Sequence, residues 1–415
     1  MLIYWFNSVY PSVFKPYFDT QLATLVELGH AVRTFAFSRG PGPDSKLVAD
    51  LGLDRSTTYL IGSPRDSLRN AGPVVAAALH SPGRVWQRAR AAARAGRGAR
   101  QGIGFTLRSL GLPKAAPDLL FVNNLDTLCT LRFLKRIYPT SLLAFYYHGG
   151  QPAGVPPVRP EDAVAALSSA DLVFSNTAFS THDVIRRGAD GRKAQAVPLG
   201  FRLEDYPIRS HIPTPGTGVI RAFSLGRLSR EKGHHVAIAA LRVLQERHGR
   251  MVEYHLFGDG PERIRLAELA ETQGVGMRVR FHGRVADTDL PGMLADMHMC
   301  LQPSLTLGDW SENQACAVQE QFLRGIPVLV SRSGGMPECI PGELKGFMHE
   351  EGDAEDLAAR INELASLEAG LFSELSASCR VYASREFDAR ILTGRLLDRI
   401  RGALPPAELP GISES

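Results

Sequence analysis

The sequence predicts an α/β protein made of two doubly wound domains in tandem, and three observations predict it. The chain has 415 residues, more than one hydrophobic core grows to efficiently. Short apolar runs alternate with segments of helical periodicity in two separate blocks, the pattern of parallel sheets covered by helices on both faces. Between the blocks, Tyr206–Gly218 carries Pro207, Pro213, Pro215, Gly216 and Gly218 and few large apolar residues, which is the composition of a linker.

In the first block, strands are expected at Leu2–Phe6, Ala31–Phe37, Leu119–Val122, Ser141–Tyr147 and Asp171–Ser175. Helical spacing covers Phe18–Leu28, which Gly29 closes as a C-cap, Leu125–Ile137 and Ala163–Ala170. In the second block, strands are expected at Ile220–Leu225, Glu253–Phe257, Val279–His282, Met297–Gln302 and Pro327–Ser331, with helices at Val236–His248, Ile264–Thr272 and Ala315–Arg324. Helical patterns dominate from Asp356 onwards, and the Pro- and Glu-containing tail Pro405–Ser415 reads as disordered.

Composition excludes several classes. With 44% hydrophobic and 22% charged residues the chain reads as a soluble globular protein. Its five cysteines are scattered, odd in number and without a CxxC pair, which argues against a zinc site or a disulfide framework and for a reducing compartment. The apolar start Met1–Phe6 turns polar at Asn7, too soon for a secretory h-region, and no run reaches the ~18 apolar residues of a membrane span; the expected location is cytoplasmic. The net charge of +4 is unevenly spread, because Ser67–Pro117 holds no acidic residue while Arg84, Arg88, Arg90, Arg94, Arg97 and Lys114 fall within it. A cationic segment of this kind attracts anionic surfaces, so Arg84–Lys114 is read both as a peripheral membrane contact and as a plain solvated helix. It has no aromatic stacking platform and no nucleic-acid module accompanies it, so nucleic-acid binding is not expected.

In open parallel sheets ligands bind beyond the carboxyl ends of the strands, and the chemistry-bearing residues fall there. Gly226-Arg227-Leu228-Ser229-Arg230-Glu231-Lys232-Gly233 directly follows a strand, and its cations suit a pair of phosphates: arginine forks onto their oxygens and lysine adds a point charge near a helix start. Glu312 and Glu320 flank the start of the next helix, with Glu312 in the loop and Glu320 inside a helix beginning near Gln314. A carboxylate offers only acceptors and can grip both hydroxyls of a ribose. Alone, the Gly226–Gly233 turn is equally well a solvated charged loop, and either glutamate by itself reads more readily as a surface residue.

Taken in order, Gly226-Arg227-Leu228…Glu231-Lys232-Gly233, Phe257-Gly258-Asp259-Gly260-Pro261, Phe281-His282-Gly283, Gln302-Pro303-Ser304, Glu312…Glu320, Arg324-Gly325-Ile326-Pro327-Val328 and Gly334-Gly335-Met336-Pro337-Glu338 resemble the C-terminal half of glycosyltransferase family 4. Those are retaining enzymes of GT-B architecture, in which two Rossmann-like domains face each other across a cleft. The first half resembles the same family less specifically, through Tyr10-Pro11-Ser12, Leu28-Gly29-His30, Tyr147-His148-Gly149, Ser175-Asn176-Thr177 and Val197-Pro198-Leu199-Gly200-Phe201.

The resemblance implies an acceptor-binding domain over 1–206, a linker over 207–218, a donor-binding domain over 219–385, a C-terminal helix over 386–404 packing back towards the first domain, and the tail 405–415. It implies transfer of a sugar from a nucleotide diphosphate sugar to a hydroxyl acceptor, with no metal and no further cofactor. Arg227 and Lys232 would neutralise the diphosphate, Glu320 would hold the ribose, and Glu312 would bind donor-sugar hydroxyls. Gly258, Asp259, Gly283, Arg284 and the backbone of Asn313, Gln314 and Ala315 would complete the donor site, and His148 would reach the sugar from the other domain. Asn7, Tyr10 and Lys15 are the acceptor-side candidates. The sequence departs from the family at Asn313-Gln314, where Gly-Phe is common, and at Asn7–Pro11, where a Gly-Gly loop is common. A GT-B epimerase or phosphorylase and a non-catalytic sugar-nucleotide-binding subunit are the alternative readings.

Overall fold

The computed structural model of the chain describes residues 1–11, 16–40, 47, 50–60, 83, 85, 109, 111–149, 158–209, 211–216 and 218–404. Lys15, nearly all of the basic stretch Arg84–Lys114 with its expected membrane contact, and the tail 405–415 lie outside the described residues. Among the described residues no helix is long and apolar enough to cross a membrane.

The first sheet has strands β1 (Leu2–Val9), β2 (Ala31–Ser38), β3 (Thr58–Tyr59), β4 (Leu119–Asn123), β5 (Leu142–Tyr147), β6 (Leu172–Ser175) and β7 (Ala194–Ala196) in the order β3-β2-β1-β4-β5-β6-β7. The second has β8 (Ile220–Leu225), β9 (Val252–Phe257), β10 (Val279–Gly283), β11 (Met299–Gln302) and β12 (Val328–Val330) in the order β10-β9-β8-β11-β12. Every named strand pair is parallel. The helices that carry the argument are α1 (Pro16–Glu27), α2 (Leu125–Leu131), α3 (Pro160–Leu167), α4 (Ala178–Arg186), α5 (His234–His248), α6 (Arg263–Thr272), α7 (Leu290–Leu294), α8 (Cys316–Leu323), α9 (Ala354–Ala365), α10 (Ala369–Glu386) and α11 (Ala389–Ala403).

Side chains alternate across each sheet, and both faces are buried, as helix-covered parallel sheets require. Tyr4, Phe6, Leu120, Val122, Phe145 and Tyr147 face α2 and α3 through Leu128, Leu131 and Ala166. Ile3, Trp5, Phe121 and Tyr146 face the other way, onto Phe18 and Leu22 of α1 and Leu396, Leu397 and Ile400 of α11. In the second sheet Ala222, Tyr254 and Leu256 meet α5, α6 and α9, while Phe223, Phe257 and Val328 meet α7, α8 and α10.

Three expectations are corrected here. The helix read across Leu125–Ile137 is two pieces, Leu125–Leu131 and Leu134–Ile137, because Phe133 turns into the core between them at 1% exposure. The sheet gains β3 and β7, whose two and three residues are too short to show an apolar run. The helix after Glu312 begins at Cys316 rather than near Gln314, since Asn313 and Gln314 are drawn across to the first domain.

The chain passes between the domains twice, and the two passages lie side by side. Phe201 N donates to Phe387 O at 2.8 Å and Ala389 N to Phe201 O at 2.9 Å. A Cβ at Gly200 would fall 2.4 Å from Ala389 Cα, so only glycine permits this approach. Arg202 and Arg390 both grip Glu27 of α1 beside the crossing. The last helix is thereby carried into the core of the first domain, where Leu397 and Ile400 are 1% and 0% exposed. Truncating either to alanine is expected to cost about 2–5 kcal/mol in equilibrium urea unfolding; a loss below about 1 kcal/mol would show that α11 does not share that core.

Candidate active site

The carboxyl ends of β8, β9 and β10 converge through glycine turns. Gly226 N donates to Phe257 O at 2.9 Å, Leu228 N to Asp259 O at 3.1 Å and Gly258 N to Gly283 O at 2.7 Å. The Gly226-Arg227, Gly258-Asp259 and Gly283-Arg284 turns are thus neighbours. Asp259 Oδ1 accepts from Gly260 N at 2.9 Å, which holds its own turn. His234, buried at the start of α5, lies 3.2 Å from Arg227 O through Nε2 and 3.3 Å from the Tyr254 hydroxyl through Nδ1. Burial lowers its pKa to about 4, with the bond to Arg227 O opposing; the imidazole is therefore a neutral strut under the cationic turn at physiological pH.

Two cations of that turn, Arg227 and Lys232, are each held by a glutamate. Arg227 pairs with the buried Glu231 through Nη2, and Ser229 Oγ donates to the same Glu231 oxygen at 2.7 Å. Burial pushes the Glu231 carboxyl up, but the bonds from Ser229 and its own backbone and the nearby Arg227 outweigh it, so its pKa lies below the ordinary value. Lys232 Nζ donates to Glu312 Oε2 at 2.6 Å, and Ser304 Oγ to the same oxygen at 3.0 Å. Gln302 Nε2 supports Ser304 at 3.0 Å, and Lys232 Nζ lies 5.6 Å from the centroid of the Trp310 ring. This meeting needs Gly233, whose φ is 67° and where a Cβ would fall 1.8 Å from Pro303 O.

Glu320 sits on α8, half-buried, with Ala315 as the helix cap. Burial raises its pKa to about 7, against the pull of Arg324 and with help from Asp287. The Cys316 thiol at the start of α8 is pushed far up by burial and then by Glu320 and Glu312, with Lys232 opposing. Cys316 therefore lies within the electrostatic reach of both Glu320 and the Lys232–Glu312 pair.

The opposite wall comes from the first domain. His148 directly follows β5; its Nε2 lies 3.0 Å from Asn123 Oδ1, and its ring stacks on Tyr146 at 4.6 Å. Three side chains that follow β11 and β12 reach over to this domain. Thr177 Oγ1 donates to Asn313 Oδ1 at 2.7 Å. Gln314 binds both backbone groups of Leu199, accepting from its N at 2.7 Å and donating to its O at 3.0 Å. The Glu338 carboxylate accepts from Ala178 N at 2.6 Å and Phe179 N at 2.7 Å, supplying negative charge to the first amides of α4. Ser304 and Glu338 fall within motifs that carry the resemblance but the sequence assigns them no role, and His234 lies outside those motifs; their partners are distant in the chain or buried.

Two acceptor-side expectations are corrected. Asn7 and Tyr10 are 1% and 0% exposed, so neither lines an open site. Asn7 lies at the carboxyl end of β1 with its carboxamide turned onto its own strand, accepting from Trp5 Nε1 at 3.0 Å and donating to Phe6 O at 3.3 Å. Tyr10 packs with Phe18 and Leu53. Gln314 keeps only its backbone for a ligand, its side chain being spent on Leu199.

Residues 213–385 match the family model described as glycosyl transferases group 1. The amylovoran biosynthesis glycosyltransferase AmsK of Erwinia amylovora is 29% identical over 231 residues, which cover 55% of each chain. The 2-deoxystreptamine glucosyltransferase of Streptomyces kanamyceticus is 26% identical over 215 residues, 52% of this chain and 53% of that one. The chain thus spans about half the length of these relatives. The crystal structure of Anabaena Alr3699/HepE in complex with UDP superposes with a TM-score of 0.70 over 97% of this chain and 99% of that one, at 18% identity. Residues 213–385 of this chain are thus similar to the glycosyl transferases group 1 family, and the two domains together have the GT-B architecture.

Proposed function

We propose that the protein is a retaining glycosyltransferase that moves a sugar from a nucleotide diphosphate sugar to a hydroxyl acceptor. The observation that carries this reading is the joining of Lys232 to Glu312 at 2.6 Å, beside the Arg227 turn. It brings two cations and a buried carboxylate together beyond the carboxyl ends of β8 and β11. The relatives' names and the UDP bound to the Anabaena protein support a nucleotide-sugar donor.

In this reading Arg227 and Lys232 take the diphosphate. Each has one donor fixed by a glutamate, and a guanidinium has five N–H groups and an ammonium three, so both are pre-aimed with donors to spare. As the glycosidic bond breaks, charge builds on the leaving diphosphate and these fixed cations stabilise it without reorganising. Glu320 accepts from the ribose hydroxyls, and Glu312 accepts from the donor sugar while orienting Lys232. The backbone at Asn313–Ala315 meets the sugar and phosphate, the Gly258-Asp259 and Gly283-Arg284 turns close the nucleotide side, and His148 approaches the sugar from the first domain. The acceptor hydroxyl attacks from the face the diphosphate leaves, and its proton passes to a phosphate oxygen, so configuration is retained.

Two outcomes are expected. Replacing Lys232 by methionine strands Glu312, which is 8% exposed, and should cost about 3 kcal/mol of stability. Adding Glu312→Gln should restore most of that loss yet leave nucleoside diphosphate affinity at least tenfold weaker (about 1.4 kcal/mol) by calorimetry; full recovery of affinity in the double variant would remove Lys232 from the ligand's path. The second concerns pH. Only ionised Glu320 accepts two hydroxyl hydrogen bonds, and with a pKa of about 7 its ionised fraction rises about tenfold from pH 6 to 8. Nucleoside diphosphate affinity should climb over that interval, and Glu320→Gln should remove the Glu320-dependent part of the climb. The same slope in wild type and variant would deny Glu320 its ribose. The raised pKa also means the folded state loses stability as pH rises from about 4.5 to 7, so Glu320→Gln should be the more stable form at pH 8.

A further inference from the structure

We propose that the cavity between α4 and the 306–313 segment is the acceptor subsite and takes one uncharged sugar ring. This rests on the transferase reading and adds to it the place and the chemical class of the acceptor. The cavity has a volume of about 280 Å³, at the small end of the ligand-pocket range of about 300–1,000 Å³, which suits a single ring rather than an extended chain. Gly149 and Asn313 line it, and they stand next to His148 and Glu312 in the chain. None of Arg227, Lys232, Glu312, Glu320 or His148 lines it. It therefore adjoins the donor cluster without being part of it, which is where an attacking hydroxyl must wait.

The Asn313 carboxamide marks this as a built site. Thr177 Oγ1 accepts from Ser180 N at 3.2 Å, so its own proton is directed to Asn313 Oδ1 at 2.7 Å. That fixes the amide with Nδ2 on the other side. Nδ2 is buried and has no hydrogen-bond partner among the described residues, in a side chain whose residue is 8% exposed. A buried donor left unpaired costs about 1–3 kcal/mol, a cost that a ligand oxygen would relieve. A Cβ on Gly149 would lie 3.0 Å from Nδ2; the missing side chain lets the amide pack directly over Gly149 at the cavity wall.

The charged lining selects the class. Arg186 and Arg187 face Asp183 and Asp309, a formal balance of zero. Asp183 is also engaged by the Tyr147 hydroxyl at 2.5 Å, Arg187 Nε at 2.9 Å and Arg186 Nη2 at 3.1 Å, so the C-terminal turn of α4 is held rigid. A wall with both acceptors and donors and no excess charge fits the hydroxyls of a neutral pyranose better than a uronate or a sugar phosphate.

The test uses the full chain saturated with a nucleoside diphosphate. Binding of neutral methyl gluco-, galacto- and mannopyranosides is read by saturation-transfer NMR, with methyl glucuronide as the charged control. At least one neutral glycoside should bind, more tightly than the glucuronide. Asn313→Asp, which keeps the bond from Thr177 and replaces the free donor by an acceptor, should weaken it at least tenfold. Asp309→Trp, an exposed substitution that fills the cavity from its rim, should do the same if the aspartate variant folds poorly. Nucleoside diphosphate affinity should stay within twofold in Asp309→Trp, which alters none of the residues assigned to the donor. The assignment is overturned if no neutral glycoside binds the nucleotide-loaded chain, if binding survives both substitutions, or if the glucuronide is preferred. Failure of the diphosphate itself to bind would bring down the transferase reading and this one with it, whereas diphosphate binding without glycoside binding removes only the subsite.

Discussion

The ion pair between Lys232 and Glu312 is the constraint on which the rest of the site depends. Its partners come from the turn after β8 and the segment after β11, 80 positions apart in the chain. Neither can be placed correctly alone. Glu312 is nearly out of water and needs a positive partner and a hydroxyl to be tolerated there, and Lys232 and Ser304 provide them. Gly233 permits the close approach, and neutral His234 props the turn from below. An ion pair of this kind contributes little net stability; its value is positional, since it fixes where a positive charge stands before any ligand arrives.

The same segment also joins the domains. Within three consecutive residues, Glu312 faces Lys232, Asn313 faces Thr177 and Gln314 faces Leu199. Movement of one domain against the other must therefore move Glu312 or break these bonds. Glu338 on the first amides of α4 and the paired passages at Phe201 and Phe387 add to this coupling. The departure from Gly-Phe to Asn-Gln after Glu312 has a structural reason here: glycine and phenylalanine have no polar side-chain atoms with which to make these cross-cleft bonds.

Most of the second domain was legible in sequence, because its strands are short segments carrying apolar residues that end at Gly226, Gly258 and Gly283, and ligand-bearing turns in open sheets follow such ends. The Arg227–Lys232 turn and the two glutamates were found for the same reason. What escaped has a common physical cause. β3 and β7 are held by one neighbouring strand each and carry no apolar signature of their own. Ser304, Thr177 and Glu338 acquire meaning only through partners far away in the chain, which periodicity does not reveal. Asn7 and Tyr10 read as polar loop residues, yet both are buried, Asn7 with its amide on its own strand and Tyr10 packed with Phe18 and Leu53.

The central claim is that Arg227, Lys232 and Glu320 serve a single bound diphosphate-ribose. Amide hydrogen exchange of the full chain, with and without a saturating nucleoside diphosphate, tests it most directly. The account predicts that the ligand slows exchange together in 226–233, 258–260, 283–285 and 312–320, with the same concentration dependence. Protection confined to one of these segments, or centred elsewhere in the chain, would contradict it.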